Sequence, residues 1–409
     1  MKNLFIGTSP NIQKDDLWLV TRLLFQPWRW KSEKPVRQFE EKMEEYLQAD
    51  VKAFAFDSAR TSFYQLLKSW GIGEGDEVLV PTFTCVVVIN PILRVGATPV
   101  YVDTDPRSFN MDLEDLRKKF TSKTKAVLAQ HTFGVPVDVG EIRKVVGKDV
   151  KIVEDLAHYL HPDAKSKNSD AAILTFGIEK MMTSLRGGMA VVGAGDDDLR
   201  SKLQKVQENA KSFGLWRIFK WLINPIVWSV ATPTYFWGFG KFTIGRLISQ
   251  FGHMLGMMGN MMEGCEYRGC FPDWMPARMP GALAQVGMNQ LDKLDELNEH
   301  RAKIAKVYDE VLLENRSELK NYYPLRYPIM VDDPRELKSK LREKHVIIGN
   351  WYEKVLFTDP QYLDELKLDI SDIPNTMKIT KQVINLPTFI KVSEEDAREI
   401  AENVKQYSL

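Results

Sequence analysis

Residues 151–192 read KIVEDLAHYLHPDAKSKNSDAAILTFGIEKMMTSLRGGMAVV, and the fold class follows from them. Three apolar runs, Lys151 to Val153, Ala172 to Phe176 and Met189 to Val192, are short and bounded by Gly, Pro, Asp or Thr, as buried strands are. Upstream, Glu77 to Val80, Thr98 to Val102 and Ala126 to Gln130 repeat the pattern, with helical stretches between several of them. One predicted helix starts at Asp112, with Asp115 three residues on and Leu113, Leu116 and Phe120 recurring on one face. Strands alternating with helices imply a parallel sheet with crossover connections, so the expected class is α/β.

Ligands of open parallel sheets collect beyond the carboxyl ends of the strands, and three stretches there carry chemistry. In the first, Asp57-Ser58-Ala59-Arg60-Thr61-Ser62 opens a helix whose apolar face is Phe63, Leu66, Leu67 and Trp70. Free N–H groups and the positive dipole end suit a phosphate there, although Ser58 and Asp57 are also ordinary helix caps and the stretch taken alone favours that reading. In the second, Asp155 and His158 stand three residues apart just past an apolar strand, where they could share one site or simply cap a helix. In the third, Lys180 follows the strand that ends in Thr175-Phe176. A lysine beside a buried strand end loses solvation, which lowers its pKa and makes it a candidate imine former.

Together these stretches resemble the DegT/DnrJ/StrS family of sugar aminotransferases, within the fold-type I pyridoxal-phosphate enzymes. The resemblance runs through GIGEGDEVLVP (71–81), GATPVYVD (96–103), HTFGVPVD (131–138), EDLAH (154–158), RGGM (186–189), LDKLDEL (291–297) and Leu386-Pro387. It implies an aspartate-aminotransferase-like three-layer αβα sandwich with a mainly parallel sheet and a smaller C-terminal α+β domain. It also implies pyridoxal 5'-phosphate as cofactor, held covalently by Lys180, which later moves the proton. Asp155 is expected to pair with the pyridine nitrogen, His158 to stand beside the phenolic oxygen, and Thr175 to bind the phosphate together with Ser58, Ala59, Arg60 and Thr61. Cys85 occupies the position where the family stacks an aromatic ring on the cofactor, and Phe83 is the nearby ring that could substitute. Arg186, Trp351 and Tyr352 are the expected substrate contacts, and no metal is expected. The implied reaction is a ping-pong amino transfer from an amino acid, expected to be glutamate, to a nucleotide-linked or lipid-linked keto sugar in cell-surface glycan or secondary-metabolite synthesis. A homodimer is implied. A non-catalytic relative acting as a membrane-associated binding or scaffold protein is the alternative, disfavoured by the presence of Lys180.

Outward from these motifs, the 409-residue chain is long enough for a large unit with a smaller one attached. The expected division is an N-terminal arm (1–50), a large cofactor-binding domain (51–282), and a linking helix with a small domain (283–409). The linking helix is predicted as one element from Leu283 to Leu313, followed after Tyr322 by strand, helix, strand and a last helix from about Ser393. Lysine plus arginine equals aspartate plus glutamate at 55 each, so no nucleic-acid partner is expected. Cys85, Cys265 and Cys270 are read as reduced thiols, and the N-terminus shows no export signal, which together suggest a cytoplasmic protein.

The stretch 209–270 departs from this pattern. From Asn209 to Met262 it has no acidic residue, while Lys211, Arg217, Lys220, Lys241 and Arg246 are interleaved with Trp216, Phe219, Trp221, Trp228, Tyr235, Phe236, Trp237, Phe239 and Phe242. Such a segment fits an interfacial element at the inner face of a membrane or an aromatic subunit interface. Pro225, Pro233 and the closing glycines argue against a regular transmembrane helix, so a re-entrant or surface helix pair is expected.

Overall fold

A computed structural model of the chain describes residues 3–6, 10–239 and 242–406; Gly240 and Lys241 of the aromatic stretch lie outside the described residues. The six predicted strands form one sheet with a seventh, Val51–Phe56, that is not among those expected from the sequence. In chain order its members are β1 (Val51–Phe56), β2 (Glu77–Pro81), β3 (Thr98–Val102), β4 (Thr124–Gln130), β5 (Lys151–Asp155), β6 (Ala171–Thr175) and β7 (Gly188–Gly193). Their spatial order is β1-β7-β6-β5-β4-β2-β3, and only β7 runs against its neighbours. That reversal matters for the site. Gly188 opens β7 at the edge where β1 and β6 end, paired with Phe56 on one side and Thr175 on the other.

Apolar side chains from the sheet feed buried clusters on both faces, one built around Ala55, Leu174 and Val191, another around Phe56, Val80 and Leu128. A separate antiparallel pair, β8 (Arg326–Met330) and β9 (Val383–Pro387), packs with the helix Glu394–Lys405 around Tyr308, Tyr327 and Ile400. Ser393 caps that last helix through the Asp396 amide.

Six helices are needed below: α1 (Lys14–Leu24), α2 (Ala59–Ser69), α3 (Leu215–Ala231), α4 (Ile244–Met254), α5 (Gly281–Leu291) and α6 (Leu294–Leu312). The single linking helix expected from Leu283 to Leu313 is in fact two, α5 and α6, broken at Asp292 and Lys293. The apolar stripe continues through the break, so periodicity alone does not reveal it. The Lys293 ammonium is anchored by Asp15 and Asp16 of α1 at 2.7 and 2.8 Å.

The aromatic stretch folds as the helix pair α3 and α4, joined by a short hairpin. Pro225 does not end α3, which continues through it to Ala231 before Thr232 and Pro233. Among the described residues no helix is long and apolar enough to cross a membrane. The reading of Cys265 and Cys270 as free thiols is also corrected. The turn Gly264–Arg268 brings their Cα atoms to 5.6 Å and they form a disulfide, leaving Cys85 as the free thiol.

The join between β7 and α2 sets a sharp steric requirement. A Cβ built on Gly188 would collide with the backbone of Ser58 and Ala59, so only glycine lets the first turn of α2 sit against the sheet edge. Gly188→Ala is expected to cost about 3 kcal/mol, the upper end for overpacking, because the obstacle is main chain and not a yielding side chain. Urea unfolding of the two proteins measures this, and a midpoint shift worth well under 1 kcal/mol would show that the helix can retreat.

Candidate active site

The carboxyl edge of the sheet opens on a cavity of about 630 Å³. Its lining includes Ser58, Ala59 and Arg60 from the start of α2, Cys85 after β2, Asp155 and His158 after β5, and Thr175 and Lys180 after β6. Trp351 and Tyr352 reach the same cavity from the β8–β9 region. Nine of the twelve other expected residues thus meet in one space with Lys180; Thr61, Phe83 and Arg186 do not line it.

Their positions have physical reasons. Thr61 is turned inward: its hydroxyl donates to Asp57 at 2.8 Å, and its amide is capped by Ser58 Oγ at 3.3 Å. Phe83 is fully buried in a cluster of rings with Phe109, Phe133 and Tyr352, where it supports the cavity floor. Arg186 is stacked between Trp221 and Trp274 and donates to the Met261 carbonyl at 3.2 Å. Its charge therefore holds the aromatic insert, and burial lowers its pKa to about 10.

Lys180 and His158 form the centre of the cavity, with Nζ and Nε2 3.2 Å apart. Burial pushes the His158 pKa well down, and the charges of Lys180 and Arg326 push the same way, so the ring is neutral. The Phe133 amide donates to its Nδ1 at 3.3 Å, so the ring proton sits on Nε2, facing Lys180. That N–H can be accepted only by an uncharged amine. The lowered pKa of Lys180 agrees: burial is the main cause and Arg326 adds to it, while Asp155, Cys85 and Glu179 oppose. Asp155 shifts up for the same reason, loss of solvent, against the pull of Lys180, the Ala157 amide and His131. A cationic ring nitrogen beside it would return the carboxylate to its charged form.

Several contributors carried no clear sequence signal. Arg326, at the start of β8, pairs with Glu179 at 3.2 Å and lies over the Trp351 ring. The nearest clue was Glu179 itself, adjacent to Lys180. Glu266 forms a buried ion pair with Arg60, whose other nitrogen donates to the Met261 carbonyl at 2.8 Å. Glu263 and Glu266 are where carboxylates return after the acid-free stretch. The insert also supplies cavity wall through Asn224, Trp228, His253 and Met258 to Met262.

The donor set fits a phosphorylated aldehyde with a ring nitrogen. It offers a buried amine of lowered pKa, a carboxylate one strand away, and the hydroxyls of Ser58 and Thr175 beside a helix start whose first amides have no intrahelical partner.

The sequence model of the DegT/DnrJ/EryC1/StrS aminotransferase family matches residues 10–215 and 274–405, passing over most of the aromatic insert. The spore coat polysaccharide biosynthesis protein SpsC of Bacillus subtilis is 24% identical, covering 99% of this chain and 97% of its own. A GDP-perosamine synthase of Escherichia coli is 23% identical over 98% of this chain and 97% of its own. Among solved structures, NtdA of Bacillus subtilis, bound to the cofactor PMP, superposes with a TM-score of 0.73 at 19% identity, covering 99% of this chain and 85% of that one.

Reductive trapping of propionaldehyde on Lys180 should reach its plateau at lower pH than on N-α-acetyl-lysine, because a lowered pKa frees the amine earlier. Arg326→Met should move that profile to higher pH, since it removes a repelling cation and leaves Glu179 unpaired. An unmoved profile would remove Arg326 from the cause.

Proposed function

Because the chain belongs to the DegT/DnrJ/EryC1/StrS aminotransferase family, we propose that it uses pyridoxal 5'-phosphate to move an amino group from glutamate to a keto sugar, in cell-surface glycan or secondary-metabolite synthesis. The observation that carries this reading is the buried Lys180 amine, its pKa lowered by loss of solvent, 3.2 Å from His158 Nε2 in one cavity with Asp155. The relatives named for polysaccharide and perosamine synthesis support a sugar acceptor, and the PMP-bound neighbour supports the cofactor.

When bound, the cofactor's protonated ring takes up the electron pair released at the substrate's α carbon. The chain's residues do the rest. Lys180 Nζ would hold the aldehyde carbon and, once released from it by the incoming amine, would move the proton at the substrate's α carbon. Asp155 keeps the ring nitrogen protonated, and the site's exclusion of water strengthens that pairing. His158 offers its Nε2–H to the phenolic oxygen, while Ser58, Thr175 and the amides of Ala59 and Arg60 hold the phosphate. Trp351 and Tyr352 stand on the acceptor side, and Arg186 acts through the insert it clamps.

A homodimer and peripheral attachment at the inner face of the membrane complete the reading. Attachment is supported by the exposed apolar face of α4, where Leu247 and Phe251 stand on an acid-free segment.

The purified protein supplied with cofactor should show a visible absorption band that borohydride removes and that Lys180→Ala lacks; a colourless protein would favour the scaffold alternative. Asp155→Ala should keep the band while turnover falls roughly a hundredfold or more. On flotation with phosphatidylglycerol vesicles, the Leu247→Glu/Phe251→Glu protein should stay with the soluble fraction while the parent rises. Equal recovery of the two would count against attachment.

A further inference from the structure

The cavity at Lys180 has two kinds of wall. The sheet edge supplies Arg60, Asp155, His158, Glu179 and Lys180. The insert supplies Asn224 and Trp228 of α3, His253 of α4, and Met258 to Met262. Across the lining, Arg60 and Lys180 are the arginine and lysine present among the described residues. Arg60 is already held by Glu266, and Lys180 is the reacting amine. A nucleotide diphosphate entering here would find no uncommitted guanidinium or ammonium to meet its charges. An apolar chain would find indole and thioether surface at Trp228, Met258 and Met262, with Val87 and Val88 in the same lining. Polar side chains interrupt the insert's wall at Asn224, His253 and Asn260. Asn224 is 2% exposed and its Oδ1 has no hydrogen-bond partner among the described residues, leaving an acceptor for a sugar hydroxyl.

The outer side of the same helix pair is built in reverse of an ordinary surface helix. In α4 the buried positions are Gly245, Ser249 and Gly252, and a Cβ on Gly245 would strike the Ala231 carbonyl of α3. The large apolar residues Ile244, Leu247, Phe251, Met254 and Leu255 face outward, at 3- and 4-residue spacing. No carboxylate occurs from 209 to 262. A second copy packed on this face by two-fold symmetry would bring no carboxylate of residues 209–262 to the other's basic side chains, whereas an anionic lipid surface complements them. One thin helical layer therefore separates an apolar outer surface from the cavity wall.

Resting on the amino-transfer reading above, we propose that the acceptor is a keto sugar joined to an apolar tail, with the sugar at Lys180 and Asn224 and the tail against Trp228, Met258 and Met262. The test compares methyl and octyl keto-hexosides, and a uridine-diphosphate-linked keto-hexose, as acceptors for the holoenzyme preloaded with glutamate. Each buried methylene is worth about fourfold, so burial of only two of the seven extra methylenes would already favour octyl over methyl in kcat/KM by about tenfold or more. The Trp228→Ser/Met258→Ser protein should lose that preference. Equal use of methyl and octyl acceptors, or preference for the nucleotide-linked one, overturns the assignment. Glutamate bleaching of the visible band in the same preparation separates the two readings: bleaching without chain-length preference sinks the tail alone, and no bleaching sinks the amino-transfer chemistry. In that last case, binding of octyl against methyl β-glucoside, followed by tryptophan fluorescence, still decides the tail, with equal affinity counting against it.

Discussion

Removing water from a single amine is the constraint on which the rest of this structure depends. A lysine ammonium in bulk solvent is stabilised by hydration that a buried cavity cannot replace, so the group lowers its pKa instead of paying a desolvation penalty of several kcal/mol. For Lys180 that cavity takes three separate parts of the chain to build. The sheet edge provides the floor, the β8–β9 region brings Arg326, Trp351 and Tyr352, and the insert closes the remaining side. Arg326 then pushes in the same direction as burial, while its ion pair with Glu179 keeps its own charge compensated.

The opposing shifts of Asp155 and Lys180 express one cause. Each is driven toward its neutral form by burial, and each partner's charge resists. Direct attraction between them is the smaller effect, so they are not a salt bridge that stabilises the fold. They form a polarised site whose charges are restored when a cationic ring nitrogen and an imine-forming aldehyde arrive, and the chemistry gains from that reserve. His158 fits the same logic, because its tautomer is fixed from behind by the Phe133 amide.

Arg60 and Arg186 tie this chemistry to the insert. Both donate to the Met261 carbonyl, and Arg60 adds its buried pair with Glu266. Breaking a buried pair by deleting one partner is costly, typically about 3–5 kcal/mol, so the insert wall is held as firmly as the helix start it touches. Arginines that sequence position alone would direct to a phosphate or a substrate are instead the rivets of the cavity wall. Their partners lie some 75 and 200 residues away along the chain, which no local pattern reveals.

What the sequence by itself determined is the local physics. The short bounded apolar runs specify the strands, Asp112 and Ser58 specify helix starts, and the positions of Asp155, His158 and Lys180 just past strand ends specify where chemistry collects. These are short-range consequences of side-chain volume, hydrogen bonding and backbone geometry, so they can be read residue by residue. The break at Asp292–Lys293, the pairing of Cys265 with Cys270, the inward turn of Thr61 and the partners of Arg60, Arg186 and Arg326 were decided only by the tertiary structure. Each depends on which distant groups are brought close, and on how much solvent they lose there, and neither quantity exists until the chain has packed.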